Sequence, residues 1–263
     1  MHNDLEFANY LIRTEQYDDA IFLLDYINTD ESNITDDDHA YLKGWAYYNK
    51  GVLDSSASYL ASVKPEHVHF TKSRFFYAYN MIYLGNTTIG KQVLLDLEPK
   101  NTVEAGLVKL ELSGISLLER DFNAFDKHSA RFSGNHYIYA KEEQLMKEYA
   151  LDLKQFNPKK MWIAGVMSAI IPGSGKFYTG KHGEGLSAFL AVVLLSGITY
   201  ENYKKAGATN WKTLTFGSLT TIFYVGNIYG SVFSVKLYRD EFYKTYDNKI
   251  LFHLQIPLRT AFH

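Results

Sequence analysis

The sequence predicts an all-α protein in which a solenoid of helical hairpins is followed by a glycine-rich hydrophobic helical hairpin module. The chain has only five prolines in 263 residues, together with long apolar stretches, and this favours helices. Small residues recur every 34 to 36 positions in the first half, as in a helical repeat. The charge changes sign near residue 158: residues 1–158 carry 24 acidic and 15 basic side chains, and residues 159–263 carry 5 and 12.

Small side chains mark each unit of the repeat. Two antiparallel helices approach closely only where small side chains face each other, and each unit leaves an apolar face for the next unit to bury. The anchors are spaced by 36, 34 and 36 residues, at Ala8, Gly44, Ala78 and Gly114. With further small or aromatic positions, the residues predicted to pack the repeat are Ala8, Ala20, Gly44, Tyr47, Ala78, Gly90 and Gly114.

Residues 44–51 (Gly-Trp-Ala-Tyr-Tyr-Asn-Lys-Gly) and residues 8–20 resemble the tetratricopeptide repeat family. The resemblance extends over about residues 5–132 and implies paired helices with a turn glycine, such as Gly85, between them. The fourth unit has Asp121 instead, so three or four repeats are expected. The alternative is an irregular helical bundle. The family also implies a protein or peptide partner on the concave face, and the exposed Tyr, Asp and Glu side chains suit a basic or aromatic segment.

The composition divides the chain into four segments. The predicted domains are a repeat array at 1–132, a connecting amphipathic helix at 133–158, a hydrophobic membrane-type module at 159–242 and a C-terminal tail at 243–263. Weak alternation and Pro257 predict an extended conformation for the tail. No basic stretch followed by an apolar one is visible at the N-terminus, so no export signal is expected within this sequence.

Three apolar runs follow Pro158. A spanning helix needs about 20 apolar residues. Residues 214–238 meet this length, residues 186–200 nearly do, and residues 161–171 do not, so the last are expected to be re-entrant or interfacial. Lipid is therefore the expected surrounding, and the alternative is a soluble helical domain with an unusually apolar core. The positions expected to pack against another helix are Gly226 and Gly230, with Asn227 forming an inter-helix hydrogen bond.

The stretch from 172 to 185 is the most distinctive in the chain, with a Pro-Gly turn followed by Gly-Lys-Phe-Tyr-Thr-Gly. It resembles a family of small bacterial domains with two transmembrane helices, and residues 225–230 resemble their closing helix. The resemblance implies an architecture more than an activity. The glycines would let the chain reverse tightly, with aromatic rings plugging the turn. The predicted turn and packing residues are Pro172, Gly173, Gly175, Phe177, Tyr178, Gly180 and Gly185.

Chemical motifs are weak throughout the chain. There is no cysteine, and no catalytic, cofactor-binding or metal-binding residue is predicted. Residues 175–181 have the spacing of a phosphate-binding loop, but His182 stands where Ser or Thr is needed for magnesium. His67 and His69 lie two residues apart beside Glu66, a pattern that solvated loop histidines explain better than a metal does. The basic residues of the second half flank apolar runs, so nucleic acid is not an expected partner.

These features together predict a non-enzymatic, membrane-associated scaffold that presents a repeat surface to a protein partner during assembly of a bacterial envelope complex. The expected location is the inner membrane, with the array in the aqueous phase on a side that the sequence leaves open. One alternative is an oligomeric membrane protein that handles an ion or small molecule near Asn227. Another is a nucleotide-binding protein that uses residues 175–181.

Overall fold

The computed structural model describes residues 2–27 and 36–262, and within them the protein is all-α. Thirteen helices and no strand occupy these residues. The first nine are α1 (His2–Arg13), α2 (Tyr17–Tyr26), α3 (Asp36–Lys50), α4 (Leu53–Ser62), α5 (Phe70–Tyr83), α6 (Thr87–Asp96), α7 (Thr102–Leu118), α8 (Phe122–Ser129) and α9 (Ala140–Gln155). The last four are α10 (Met161–Ile170), α11 (Ser174–Tyr178), α12 (His182–Ala206) and α13 (Trp211–Ala261).

The chain divides into two compact lobes. Met1–Lys154 and Asp247–His263 form one, here called the array lobe, and Gln155–Tyr246 form the other, here called the hydrophobic lobe. In the array lobe, successive helices from α1 to α8 pair as four antiparallel hairpins, numbered 1 to 4. The last part of α13 also belongs to the array lobe, so the lobe is built from both ends of the sequence.

The same turn connects the two helices of every hairpin. In hairpin 2 the Gly51 N–H donates to the Tyr48 carbonyl (3.0 Å), and the Val52 N–H donates to the Tyr47 carbonyl (3.0 Å). This bond pair closes a helix on a left-handed residue, usually glycine. The pattern recurs in all four hairpins, with φ of 63°, 85°, 86° and 59° at Glu15, Gly51, Gly85 and Arg120. Hairpins 1 and 4 therefore make this turn without glycine, so the sequence does not reveal that their turns are equivalent to those of hairpins 2 and 3.

The register of hairpin 4 differs from the predicted one. The left-handed residue lies seven positions after Ala8, Gly44 and Ala78, but only six after Gly114. Ser113, which is fully buried, is therefore the equivalent of Gly44. The prediction that Gly114 anchors its hairpin is wrong by one residue, because the turn begins one position earlier at Arg120.

Small residues bring the helices of the other hairpins together. Ala8 and Ala20 are both fully buried in hairpin 1. In hairpin 2 a Cβ on Gly44 would lie 2.8 Å from the Leu60 side chain, and Tyr47 stacks on Tyr59 with ring centroids 5.7 Å apart. In hairpin 3 a Cβ on Gly90 would lie 3.0 Å from the carbonyl oxygen of the fully buried Ala78.

Two predicted segments differ from the structure. The connecting helix begins at Ala140, not near residue 133, and the Glu143 carboxylate instead accepts hydrogen bonds from the Ser133 and Gly134 N–H groups. The expectation of an extended tail after residue 243 is wrong, because α13 continues to Ala261. Three fully buried residues four apart, Ile250, Leu254 and Leu258, give this segment one apolar stripe.

In the hydrophobic lobe, α10 and α11 form a short helix–turn–helix, and α12 and α13 follow. The helix α12 is long and apolar enough to cross a membrane, with a mean hydropathy of 1.5, and only 11% of the apolar stretch is buried. It is the one helix among the described residues that meets this criterion, while α10 is a shorter apolar helix. The third apolar run was expected to be the better spanning candidate, but its hydroxyl side chains, Asn227 and tyrosines make α13 less apolar than α12.

Candidate binding groove

The first helices of the four hairpins, with α9, form an inner face, and the chain's C-terminus packs against the α3, α5, α7 and α9 part of it. Residues 247–262, here called the C-terminal segment, lie against this inner face. A Cβ on Gly114 would lie 2.6 Å from Leu254 Cδ1, which shows how closely the segment approaches α7. Gln255 Nε2 donates to the Tyr48 hydroxyl on α3 (2.6 Å), and Tyr149 on α9 lies 5.9 Å from His253.

Both ends of the C-terminal segment are held by specific contacts. At its start, Asp247 Oδ1 pairs with Arg120 Nη2 at 2.7 Å, so the turn residue of hairpin 4 also fixes this segment. At its end, the Phe262 ring lies 5.3 Å from Phe75 and 6.4 Å from Phe76, both of which are fully buried in α5. The chain itself therefore already occupies a large part of this inner face.

Glu111 is a buried acid on the same face of α7, one turn before Gly114. It is 1% exposed, and neither carboxyl oxygen has a hydrogen-bond partner among the described residues. Burial raises the pKa of this carboxyl well above its ordinary value, since a charge there is poorly solvated. Tyr48 and Tyr79 lie close enough for Glu111 to raise their pKa values, while Arg259 lowers them; burial dominates and raises the pKa of Tyr48 to about 12.

We expect Glu111 to make the array lobe less stable as pH rises. Its pKa is higher in the folded than in the unfolded chain, so stability is greatest below the unfolded value of 4.5 and falls as pH rises towards the folded pKa. The slope is about 1.4 kcal/mol per pH unit. Glu111→Gln removes this slope and raises the unfolding free energy at pH 7. The measurement is urea unfolding of the detergent-solubilised full chain, followed by Trp45 fluorescence with Trp162 and Trp211 replaced by Phe.

Glu98→Gln is the matched control, because Glu98 is exposed on the same lobe. It is expected to leave the pH dependence of unfolding unchanged. If Glu111→Gln leaves it unchanged too, Glu111 is not held protonated in the folded protein.

Beyond the C-terminal segment, the described residues leave part of the inner face uncovered. A groove of about 1090 Å³ lies between α1, α3 and the start of α5, and Phe262 lines its edge. Its lining is mixed: apolar and aromatic side chains alternate with charged ones. The groove is lined by Leu5, Glu6, Asn9, Ile12, Arg13, Glu15, Tyr17, Asp38, Tyr41, Leu42, Trp45, Asn49, His69, Lys72, Arg259 and Phe262.

Lys72 is the half-buried cation of this groove, whereas Arg13 and Arg259 are exposed. The Lys72 Nζ lies 3.8 Å above the Trp45 ring and 5.6 Å from the Tyr41 ring. Among the described residues it has neither an ion-pair nor a hydrogen-bond partner. Burial lowers the pKa of Lys72 to about 8. His69 stacks on Tyr41 at 4.1 Å, and burial followed by the nearby Lys72 charge lowers its pKa.

The glycine motif of the hydrophobic lobe forms a close helix-packing site. A Cβ on Gly173, where φ is 84°, would lie 2.1 Å from the Gly185 carbonyl oxygen. A Cβ on Gly185 would lie 2.6 Å from the Phe177 ring. Gly180 has a φ of 83° at the turn into α12, and the Tyr178 backbone carbonyl accepts a hydrogen bond from the Lys159 side chain. Pro172 precedes this motif and is half-buried.

A row of polar side chains on α13 holds the motif. Asn227 Oδ1 accepts from the Gly173 N–H (3.1 Å), and its Nδ2 is buried without a partner among the described residues. Ser168 on α10 links the Gly175 N–H (2.9 Å) to Ser231 (2.7 Å). Gly230 faces Lys176, whereas a Cβ on Gly226 would meet no described atom within 4 Å. Gly226 and Gly230 therefore do not share one packing partner in this chain.

The phosphate-loop spacing at 175–181 does not produce a phosphate cradle. Such a loop needs free backbone N–H groups that point at the ligand. Here the Gly175 N–H donates to Ser168, the Gly180 N–H to the Phe177 carbonyl and the Lys181 N–H to the Lys176 carbonyl. The Lys181 ammonium lies 3.7 Å from a Glu241 carboxylate oxygen.

Two further sequence motifs have structural partners. His67 Nε2 is 2.9 Å from Asp38 Oδ1, and the Lys64 N–H donates to Asp37 (3.1 Å), so the acidic start of α3 binds the loop before α5. Within the part of the chain that the structure describes, no group of three His, Asp or Glu side chains is placed to hold a metal. No protein-family model, curated protein or solved structure matches this chain.

Proposed function

We propose that this protein is a non-enzymatic scaffold in which the hydrophobic lobe inserts into a bacterial membrane and the array lobe binds a protein partner through its open groove. The array is a divergent form of the tetratricopeptide repeat, and the proposed setting is the assembly of an envelope complex at the inner membrane. The exposed apolar surface of α12, 11% buried over its apolar stretch, is the observation that carries the membrane assignment.

Several features of the hydrophobic lobe support insertion. Leu186, Leu190 and Leu194 on α12 are each about half exposed or more, a pattern that water disfavours and lipid satisfies. The helix ends in Tyr200, Tyr203, Lys204 and Lys205, and aromatic and basic residues of this kind are common at a membrane surface. The shorter α10 reaches only the Pro172 turn, as a re-entrant segment would.

Support for partner binding comes from the groove in the array lobe. The C-terminal segment shows what this inner face accepts: apolar side chains of a helix against small and aromatic residues, with a few polar contacts. The open groove continues the same face, beside Phe262. The chain therefore has an exposed apolar surface on α12 and a groove of mixed polarity in the array lobe, as expected of a membrane-attached binding module.

Membrane fractionation tests the proposal. The expressed full chain is expected to stay in carbonate-washed membranes and to need detergent for extraction. Leu194→Arg, on the exposed face of α12, is expected to reduce insertion, since a central arginine costs roughly 2.5–3.5 kcal/mol. Leu95→Arg is the control, because Leu95 is similarly exposed on α6 in the array lobe.

The same membranes test the groove. A photo-crosslinking residue at Asn49 is expected to capture a protein, and one at the exposed Glu148 is not. A full chain that is monodisperse in buffer without detergent would contradict the membrane assignment. Equal capture from both positions would contradict the use of the groove.

A further inference from the structure

The open groove has a chemical preference that its lining residues define. Its walls are apolar where Ile12, Leu42 and Trp45 meet, so an occupant must bring apolar side chains. The charged groups of the lining differ in burial and in pairing. Glu6, Arg13, Glu15 and Arg259 are exposed and Asp38 is paired with His67, whereas Lys72 is half-buried and has no counterion among the described residues. A half-buried ammonium without an anion is unfavourable, because its charge is poorly solvated and uncompensated. A partner that supplies an anion there gains the most binding free energy in this groove.

The location of Lys72 makes this a built site. Trp45 and Tyr41 bound the ammonium on its aromatic side. Lys72 lines this groove and a smaller cavity of about 310 Å³, and the groove is the larger of the two openings for an incoming anion. Phe262 lines the same groove, and Arg259 contributes a second, exposed cation. Burial lowers the pKa of Lys72 to about 8, because the charged ammonium is poorly solvated there. A bound carboxylate would offset this loss of solvation with a charge-assisted hydrogen bond.

The neighbouring occupant of the inner face shows the same combination. The C-terminal segment packs Leu254 against Gly114 and places the Asp247 carboxylate on Arg120 at 2.7 Å. A partner that continues along this face past Phe262 would reach Lys72, which would pair with the partner's carboxylate as Arg120 pairs with Asp247. The interface within the chain is thus a template for the interface with a partner.

We propose that the open groove binds a short acidic segment of a protein partner, with an Asp or Glu side chain paired with Lys72 and an adjacent aliphatic or aromatic side chain packed on Trp45 and Ile12. This inference rests on the proposed function, since it names the chemistry of the partner at that groove. The sequence instead predicts a basic or aromatic segment from the exposed Tyr, Asp and Glu side chains of the array, and the selection described next distinguishes the two.

Selection from a phage library of random 12-residue peptides on the full chain in detergent tests this inference. Peptides selected on the wild type are expected to be enriched in Asp and Glu next to an apolar residue. For the best peptide, replacing its acid with the corresponding amide should weaken binding about tenfold, as for one charge-assisted contact. Lys72→Met should remove that acid preference, while Lys127→Met, at an exposed lysine on α8, should keep it.

A third variant separates the two proposals. Asn9→Trp places a large side chain in the groove and leaves Lys72 unchanged, and it should abolish binding of the selected peptides. Peptides that Asn9→Trp blocks but that show no acid preference, or that bind Lys72→Met equally well, would overturn the role of Lys72 and leave the groove as a partner site. Peptides that Asn9→Trp does not affect, or a selection without any binder, would overturn both.

Discussion

Leu254→Asp is expected to detach the C-terminal segment and to abolish cooperative folding of the array lobe near neutral pH. The side chain is fully buried, and it fills the space that Gly114 leaves open on α7. Burying an unpaired carboxylate there costs far more than the array can offset, so the segment leaves the inner face. The milder Leu254→Ala should cost roughly 2–5 kcal/mol of unfolding free energy. Urea unfolding of the detergent-solubilised full chain, followed by Trp45 fluorescence with Trp162 and Trp211 replaced by Phe, measures both.

A coupled substitution makes this prediction specific to one contact. Gly114→Ala in the wild type pushes a methyl group to 2.6 Å from Leu254 Cδ1 and is expected to destabilise. In the Leu254→Ala background the same change should be neutral or stabilising, because the space is free and alanine favours helix by about 1 kcal/mol. Phe252→Ala, exposed on the same helix, is the control. If Gly114→Ala changes the unfolding free energy in the same direction in both backgrounds, the contact between Gly114 and Leu254 is excluded.

The docked segment also changes how a fragment of this protein should be made. A piece that ends near residue 156 contains all four hairpins but lacks Ile250, Leu254 and Leu258, three fully buried core side chains. Its inner face would then present apolar and aromatic surface to water around the buried Glu111. The array is complete only with a segment that lies about a hundred residues further along the chain.

The sequence was sufficient for features that depend on local spacing. The all-α class follows from composition and periodicity, and the hairpin turns at Gly51 and Gly85 follow from glycine at a 34-residue interval. The turns at Glu15 and Arg120 were hidden, because a left-handed conformation in these residues is set by the surrounding packing and leaves no mark in the residue type. The one-residue register error at Gly114 has the same origin.

The packing of the C-terminal segment against the array could not be predicted from the sequence. Ile250, Leu254 and Leu258 are spaced four residues apart, which is typical of one face of a helix. Pro257 and the weak alternation around it favoured an extended tail instead. Nothing local says that this stripe meets α7, and the unpaired Lys72 and buried Glu111 become visible only when the inner face is assembled. Pairings between distant segments depend on the whole fold and have no sequence-local signal.

Gly175→Ala is expected to disrupt the packing of α10 against α11 and to lower the stability of the hydrophobic lobe by on the order of 3 kcal/mol or more. A Cβ at Gly175 would lie 2.1 Å from the Ala164 carbonyl oxygen and 2.7 Å from Ser168 Oγ. The nearer atom is backbone, so no side-chain rotation relieves the overlap, and α11 must move away from α10. The displacement would also break the hydrogen bond from the Gly175 N–H to Ser168.

Gly183→Ala is the matched control, since a Cβ there would meet no described atom within 4 Å and the residue lies in the first turn of α12. It should be neutral or slightly stabilising, by up to about 1 kcal/mol, because alanine loses less entropy than glycine in a helix. Thermal unfolding of the detergent-solubilised full chain, read from Trp162 on α10 with Trp45 and Trp211 replaced by Phe, compares the two variants. Equal midpoints would mean that the glycine motif tolerates a side chain at Gly175, and the close α10–α11 contact would then not explain why glycine stands there.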